Sequence, residues 1–165
     1  MTDATRSFLP ISGNVLPRFA GIPTFMRLPH IPLEDAKAAD VEIAFIGVPW
    51  DGGTTNRPGA RHGPRQMRDQ STLMRNVHHI TGVQPYRLAH CADLGDTPVN
   101  PVDLMDSLKR IETFFAAVHE AGIVPISAGG DHLVTLPILQ VLGHRRPLAI
   151  KRAVSAMKIV QIVHS

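Results

Sequence analysis

The chain has a single cysteine in 165 residues, Cys91. One thiol excludes an internal disulfide and fits a reducing compartment. Cys91 falls inside a predicted strand, where a free cysteine acts as a small buried hydrophobe; a nucleophile is the alternative. No apolar run reaches membrane-spanning length, and the N-terminus has no signal-like apolar stretch. A soluble, cytoplasmic protein with no membrane partner is therefore expected. Charge of one sign is also scarce. Seventeen Lys and Arg against fourteen Asp and Glu leave a net charge of +3. The basic residues are scattered, whereas nucleic-acid binders gather them on one face, so no nucleic-acid partner is expected. Internal repeats, low-complexity tracts and a Gly-Lys-Ser/Thr phosphate motif are absent.

What is present is a core. Apolar residues make up 44% of the chain, enough for one domain at this length. Residues 1–32 carry Pro10, Pro17, Pro23, Pro29 and Pro32, a spacing that forbids a long helix. Phe8, Phe19, Ile22, Phe25 and Leu28 make this stretch apolar, so it reads as an irregular arm packed on its own domain or on a neighbouring subunit. Val41 to Val48 is a nearly continuous apolar run, as in a strand covered on both faces. Residues 51–64 form a loop shaped by glycine and proline, and Pro64 opens a helix to about Asn76 with Met67, Leu73 and Met74 on its apolar side. Leu88 to Leu94 reads as a second strand. Asn100 as cap and Pro101 in the first turn predict a helix start, with Asp103 facing the positive end of the dipole. Val102, Met105, Leu108, Ile111, Phe115 and Val118 then recur at helical steps, stopped by Gly122. Ile123 to Ala128 is a third strand, Leu133 to Leu142 a helix ended by Gly143, and Pro147 to Ile150 the start of another strand. Strand–helix alternation argues an α/β fold with a parallel sheet covered on both faces. Lys151 to Ser165 breaks the pattern and fits neither period cleanly.

The stretch that organises the chain is Ile123-Val-Pro-Ile-Ser-Ala-Gly-Gly-Asp-His132. A glycine pair turns the backbone at the carboxyl end of a strand, where open α/β sheets put their chemistry. His132 is there a metal ligand or general base, or else Asp131 and His132 simply cap the next helix. One histidine does not make a metal site. Gly52-Gly53-Thr54-Thr55 could present amides to a phosphate; the plainer reading is a loop held by turns, with Arg57 and Arg61 pairing to local carboxylates. Asp51 is a binder of a cationic group or a turn former. Asp93 and Asp96 either reach an active-site edge or cap the turn toward Pro98. His78 and His79 are adjacent and point apart on regular backbone, so they read as structural. His30, His62, His90, His119, His144 and His164 share no ligand spacing.

Three of these stretches together resemble the ureohydrolase family of arginases, agmatinases and guanidino-acid hydrolases. They are Gly47-Val-Pro-Trp-Asp-Gly-Gly53 running through Arg57-Pro-Gly-Ala-Arg-His-Gly-Pro64, then Asp93-Leu-Gly-Asp96, then Gly129-Gly-Asp-His132. Trp50 and Thr54-Thr55-Asn56 look most like guanidinobutyrase and guanidinopropionase, and Arg18 to Phe25 is similar to their N-terminal arm. The resemblance implies a three-layer α/β/α domain with a mostly parallel sheet. It also implies two Mn²⁺ ions sharing a hydroxide that attacks the guanidinium carbon of a small guanidino substrate, a guanidino acid or agmatine. Urea and an amine are the products. Metals of this kind acidify water at neutral pH, and manganese suits carboxylate and imidazole ligands. The Gly-Gly-Asp-His histidine, a manganese ligand in the family, maps onto His132. Intact members are expected to be homo-oligomers.

The sequence also departs from the family. The other ligands come from an Asp-Ala-His-x-Asp motif and a later Ser-x-Asp-x-Asp motif, and neither occurs here. After Ile150 the chain reads Lys-Arg-Ala-Val-Ser155. The expected organisation is an arm over 1–32, the N-terminal half of a ureohydrolase domain over 33–150, and a divergent tail over 151–165. As a C-terminally truncated member, the chain is expected to be inactive alone. The alternative is a non-catalytic fragment that binds full-length subunits.

Overall fold

The computed structural model describes residues 7–143, 149–153 and 160–164. Its five strands are β1 (Ile43–Gly47), β2 (Cys91–Asp96), β3 (Val124–Ala128), β4 (Ala149–Ala153) and β5 (Val160–His164). The α-helices are α1 (Leu33–Ala36), α2 (Gly63–Ser71), α3 (Leu104–Glu120) and α4 (Thr135–Leu142). The sheet order is β2-β1-β3-β5-β4. β1 pairs in parallel with both β2 and β3, with Ile43 opposite Cys91 on one side and Val124 on the other. The last two strands depart from the parallel expectation: β5 runs antiparallel to β3 and to β4. Lys151 to Ala153 lies in β4, so the sequence after Ile150 continues that strand. The sequence-based start at Pro147 lies outside the described residues.

Side-chain alternation separates the layers. Ala44, Ile46 and Val48 enter one apolar cluster with Ile111, Phe115 and Val118 of α3 and Ile138 of α4. Phe45, of opposite parity, faces Phe25 at a ring separation of 6.0 Å and lines a cavity with Met67 of α2. Helices α3 and α4 thus cover one face, and α2 with the arm covers the other, giving three layers as expected.

Element ends differ from the sequence reading for local reasons. Helix α2 stops at Ser71, because the Ser71 and Thr72 hydroxyls donate to the Arg68 and Asp69 carbonyls at 2.9 and 2.8 Å. Leu73 and Met74 therefore lie beyond it and are exposed. Helix α3 begins at Leu104: Asp103 is its cap and accepts the Asp106 N–H at 2.9 Å. Asn100 instead belongs to the preceding turn, where its N–H donates to the Ser107 hydroxyl at 2.8 Å. Val102 and Met105 are exposed, whereas Ile111, Phe115 and Val118 are fully buried. Strand β2 starts at Cys91 because a 3-10 turn occupies Pro85–Arg87 and leaves Leu88 outside. The segment from Leu133 opens as a 3-10 turn (His132–Val134), so Pro137 falls in the first turn of α4, where its ring is tolerated.

The arm packs on its own domain. Phe25, Leu28 and Ile31 are buried, His30 bridges Asp93 in parallel, and Phe8 stacks on His90 at 4.4 Å. Phe19 and Ile22 remain exposed. No helix among the described residues is long and apolar enough to cross a membrane.

Candidate active-site edge

The parallel strands β1, β2 and β3 end on the same side of the sheet, and their following loops converge there. Val48 N–H donates to Ala128 O at 2.9 Å, and Thr97 N–H to Gly47 O at 2.8 Å. The glycine pair then brings the β3 loop against the β1 loop. Gly129 and Gly130 have φ of +101° and +72°, a region that favours glycine. A Cβ on Gly130 would lie 2.8 Å from Val48 O, and one on Gly129 would lie 2.4 Å from the Pro64 ring. Space as well as backbone conformation requires glycine at both positions. The close approach lets Asp131 N–H donate to Trp50 O at 2.8 Å.

Asp131 has a structural role. Its carboxylate accepts the Gly53 N–H at 2.7 Å and the Leu133 N–H at 2.9 Å, fastening the two loops and capping the 3-10 turn. The capping alternative is thus correct for Asp131. His132 follows it on the exposed side of the edge. The Gly53 N–H is spent on Asp131 and the Thr54 N–H on Asp51 O at 3.1 Å. This is a loop held by turns rather than an open phosphate cradle.

Asp51 is a buried turn former. It is 3% exposed and accepts N–H groups from Gly59 at 2.6 Å and Arg61 at 3.2 Å, with Arg61 Nε at 2.5 Å. Burial works against its charge, but the two amides and the guanidinium outweigh that, and the carboxyl is held below its usual range. Arg61 pairs as expected; Arg57 has no ion pair among the described residues.

Asp93 and Asp96 meet a partner that the sequence did not reveal. Arg68 of α2 forks onto Asp93 at 2.8 and 2.9 Å and reaches Asp96 at 2.7 Å. Asp93 also accepts the Phe25 and Gly95 N–H groups at 2.9 and 2.8 Å, and Arg68 lies 4.3 Å over the Phe25 ring. Burial opposes the Arg68 charge, yet the two carboxylates overcome it and hold its pKa above the usual value. A polar residue next to Met67 carries no periodic signal of this role. Cys91 is buried, and burial first, then Glu42, pushes its thiol pKa up. It therefore packs as a hydrophobe instead of presenting a nucleophile. The exposed His78 and His79 rings lie 5.5 Å apart, and His78 Nδ1 engages Thr81.

The described residues do not build the binuclear metal centre that the resemblance implies. No group of three or more His, Cys, Asp or Glu among them could hold a metal ion. Asp131 has its carboxylate on amides, and Asp51, Asp93 and Asp96 have theirs on amides and arginines. The sheet edge collects one candidate ligand, His132, and a scaffold around it.

This three-layer sheet with a Gly-Gly-Asp-His turn at its carboxyl edge belongs to the arginase family, whose sequence model matches residues 41–155. Among named relatives, guanidinopropionase of Pseudomonas aeruginosa is 60% identical over 139 residues, covering 84% of this chain and 42% of that protein. Guanidinobutyrase of the same organism is 41% identical over 133 residues, covering 81% and 41%. Proclavaminate amidinohydrolase from Streptomyces clavuligerus superposes with a TM-score of 0.72 at 36% identity, over 78% of this chain and 42% of that one. A Trypanosoma cruzi formiminoglutamase solved with Mn²⁺ shares the fold, with a TM-score of 0.57 at 22% identity, over 70% and 40%. The chain thus spans about two fifths of the length of these relatives.

Proposed function

We propose that this chain is part of a ureohydrolase that cleaves a linear guanidino acid, and that it supplies the scaffold of the active-site edge rather than the whole reaction. The observation that carries this reading is the 60% identity to guanidinopropionase, which extends over most of the chain. Residues 33–150 form the family half-domain, residues 1–32 its arm, and His132 one manganese ligand. The proposed compartment is the cytoplasm.

His132 suits this role because the glycine pair, the Asp131 cap and the Trp50 carbonyl fix the turn from which it projects. Hydrogen bonds that lock the supporting turn are what orient a ligand. Alone, one imidazole gives neither the affinity nor the geometry of a binuclear centre, because such sites draw on several deprotonated ligands together. The isolated chain is therefore proposed to be inactive.

A chimera tests both halves of the proposal. Residues 1–150 joined to the C-terminal remainder of guanidinopropionase should release urea with Mn²⁺, faster from 3-guanidinopropionate than from 4-guanidinobutyrate or agmatine. His132→Ala in the chimera should lower manganese content and activity by at least the ~10–100-fold typical of supporting residues. The 165-residue chain alone should release none. Urea release by that chain with Mn²⁺ would overturn the inactive reading; an unaffected His132→Ala chimera would remove the ligand assignment.

A second reading, a non-catalytic fragment that binds full-length subunits, rests on an apolar cavity of about 410 Å³ lined by Phe25, Phe45, Met67, Met74 and Ile126. Co-purification of the chain with full-length guanidinopropionase is its test. Failure to associate at micromolar concentrations would exclude it.

A further inference from the structure

The arm holds a polar pocket away from the sheet edge. It has a volume of about 140 Å³ and lies between the turn at Ser12-Gly13 and the segment after α2, which contributes Thr72 and Asn76. Two arginines line it, Arg18 and Arg27, and no acidic residue does. Both also border a smaller neighbouring hollow of about 90 Å³ that Asp69 lines as well. Neither forms an ion pair with any described residue.

The hydrogen bonds of these guanidiniums are incomplete. Arg27 Nη2 donates to Leu16 O at 2.6 Å, but its Nη1 is buried with no acceptor among the described residues. Arg18 donates one N–H, to Leu73 O at 3.0 Å. Arg27 is moreover held in an unusual conformation. Met26 and Arg27 have φ of +51° and +62°, rare for residues with a side chain. The Met26 N–H on the Ser71 hydroxyl at 2.8 Å and the Leu28 N–H on Phe25 O at 3.0 Å keep them there. If the arginines served only to staple the arm to two carbonyls, one donor each would do. Arg18 is exposed, but the buried orphan N–H of Arg27 is costly unless an acceptor meets it, and an anion between the two guanidiniums would supply one.

We propose that the Arg18–Arg27 pocket of the arm binds a compact oxyanion, a carboxylate or inorganic phosphate. The guanidinium fork matches either. A volume of about 140 Å³ accommodates an anion of that size. The Ser12 hydroxyl and the Asn76 amide are the neutral donors that line the same space. This proposal does not depend on the hydrolase reading, since it uses neither His132 nor a metal.

Acetate and inorganic phosphate are the probes, titrated separately into the 165-residue chain with chloride holding ionic strength constant. The readouts are melting temperature and the arginine Nε–H resonances. A saturable rise in melting temperature is expected, with saturable shifts confined to the Arg18 and Arg27 resonances. Arg27→Gln and Arg18→Gln should each weaken the response by about tenfold or more, as loss of a charged hydrogen bond does. Arg75→Gln, an exposed arginine outside the pocket, should leave it unchanged. Saturation by acetate alone identifies a carboxylate site, and saturation by phosphate alone a phosphate site. A non-saturating response, or one that survives both pocket substitutions, overturns the proposal. If the variants do not fold, unshifted Arg18 and Arg27 resonances in the unaltered chain overturn it equally.

Discussion

Arg68 joins parts of the chain that are far apart in sequence. It forks onto Asp93, reaches Asp96 and stacks over Phe25, so α2, β2 and the arm meet at one guanidinium. Removing one partner of a buried pair leaves the other charged and unmatched, at about 3–5 kcal/mol. Arg68→Ala should lower unfolding stability by that amount in urea titrations, and Arg68→Lys should recover only part of it because the fork is lost. Asp51 makes a second residue-scale prediction. Its carboxyl pKa is depressed in the folded chain by Gly59 and Arg61 acting against burial. A depressed carboxylate contributes stability above its unfolded pKa, about 3.9, and loses it as pH falls through the lower folded value. The stability gap between the unaltered chain and Asp51→Asn should therefore be widest at neutral pH and narrow below about pH 4. A gap that is flat with pH would show that the charge contributes nothing. Of the two arginine partnerships, that of Arg61 is readable in the sequence and that of Arg68 is not. Arg61 was anticipated as a partner of local carboxylates because it shares a tight loop with Asp51. Arg68 lies 25 residues from Asp93, and such a pairing exists only once β2 and α2 are folded side by side.

The elements were legible where one period ran long. Six apolar residues at helical steps announce α3, and the structure buries the last three of that stripe, Ile111, Phe115 and Val118. Its first turn was misread because Asn100, Pro101 and Asp103 are all good starters, and only the extended backbone of Asp103, with φ −132°, decides which one caps. Asp103→Ala should cost about 1 kcal/mol, while Asn100→Ala should act through the preceding turn and leave the helix start in place. Phe115→Ala should cost about 3–5 kcal/mol, since a fully buried ring leaves a cavity in the cluster it shares with Ala44 and Ile46. Equal losses for Asp103→Ala and Asn100→Ala, with a shifted helix start by amide exchange, would refute the cap assignment. Strand β1 was legible from its apolar run. The end of α2 was not, because it depends on two hydroxyls folding back on carbonyls, a choice invisible to hydrophobic period.

At the scale of the whole molecule, the sequence pointed to the family and to the three-layer fold. Motif wording around Trp50 and at Gly129-Gly130 survives as geometry: the glycines are where they are because Val48, Trp50 and Pro64 crowd them. The sheet beyond β3 was not legible, because short apolar runs such as Val160 to His164 pair according to what tertiary structure leaves open. The described residues gather no metal cluster. The chain after dialysis against Mn²⁺ should thus retain far less than one ion per molecule, and stoichiometric retention of two would contradict the scaffold reading.

The first strand of this sheet is also the one with a parallel neighbour on each side, and that carries a consequence for synthesis. Ile43 pairs with Cys91 and with Val124, so its partners leave the ribosome roughly 50 and 80 residues after it. At ~5–20 residues per second the second partner arrives some ~4–16 s later. Until Cys91 emerges β1 is an apolar ribbon open on both edges, and until Val124 emerges it stays open on one, the kind of segment that chaperones hold. A nascent chain stalled before Ile123 should therefore be bound far more heavily by a holdase than one released after Gly143.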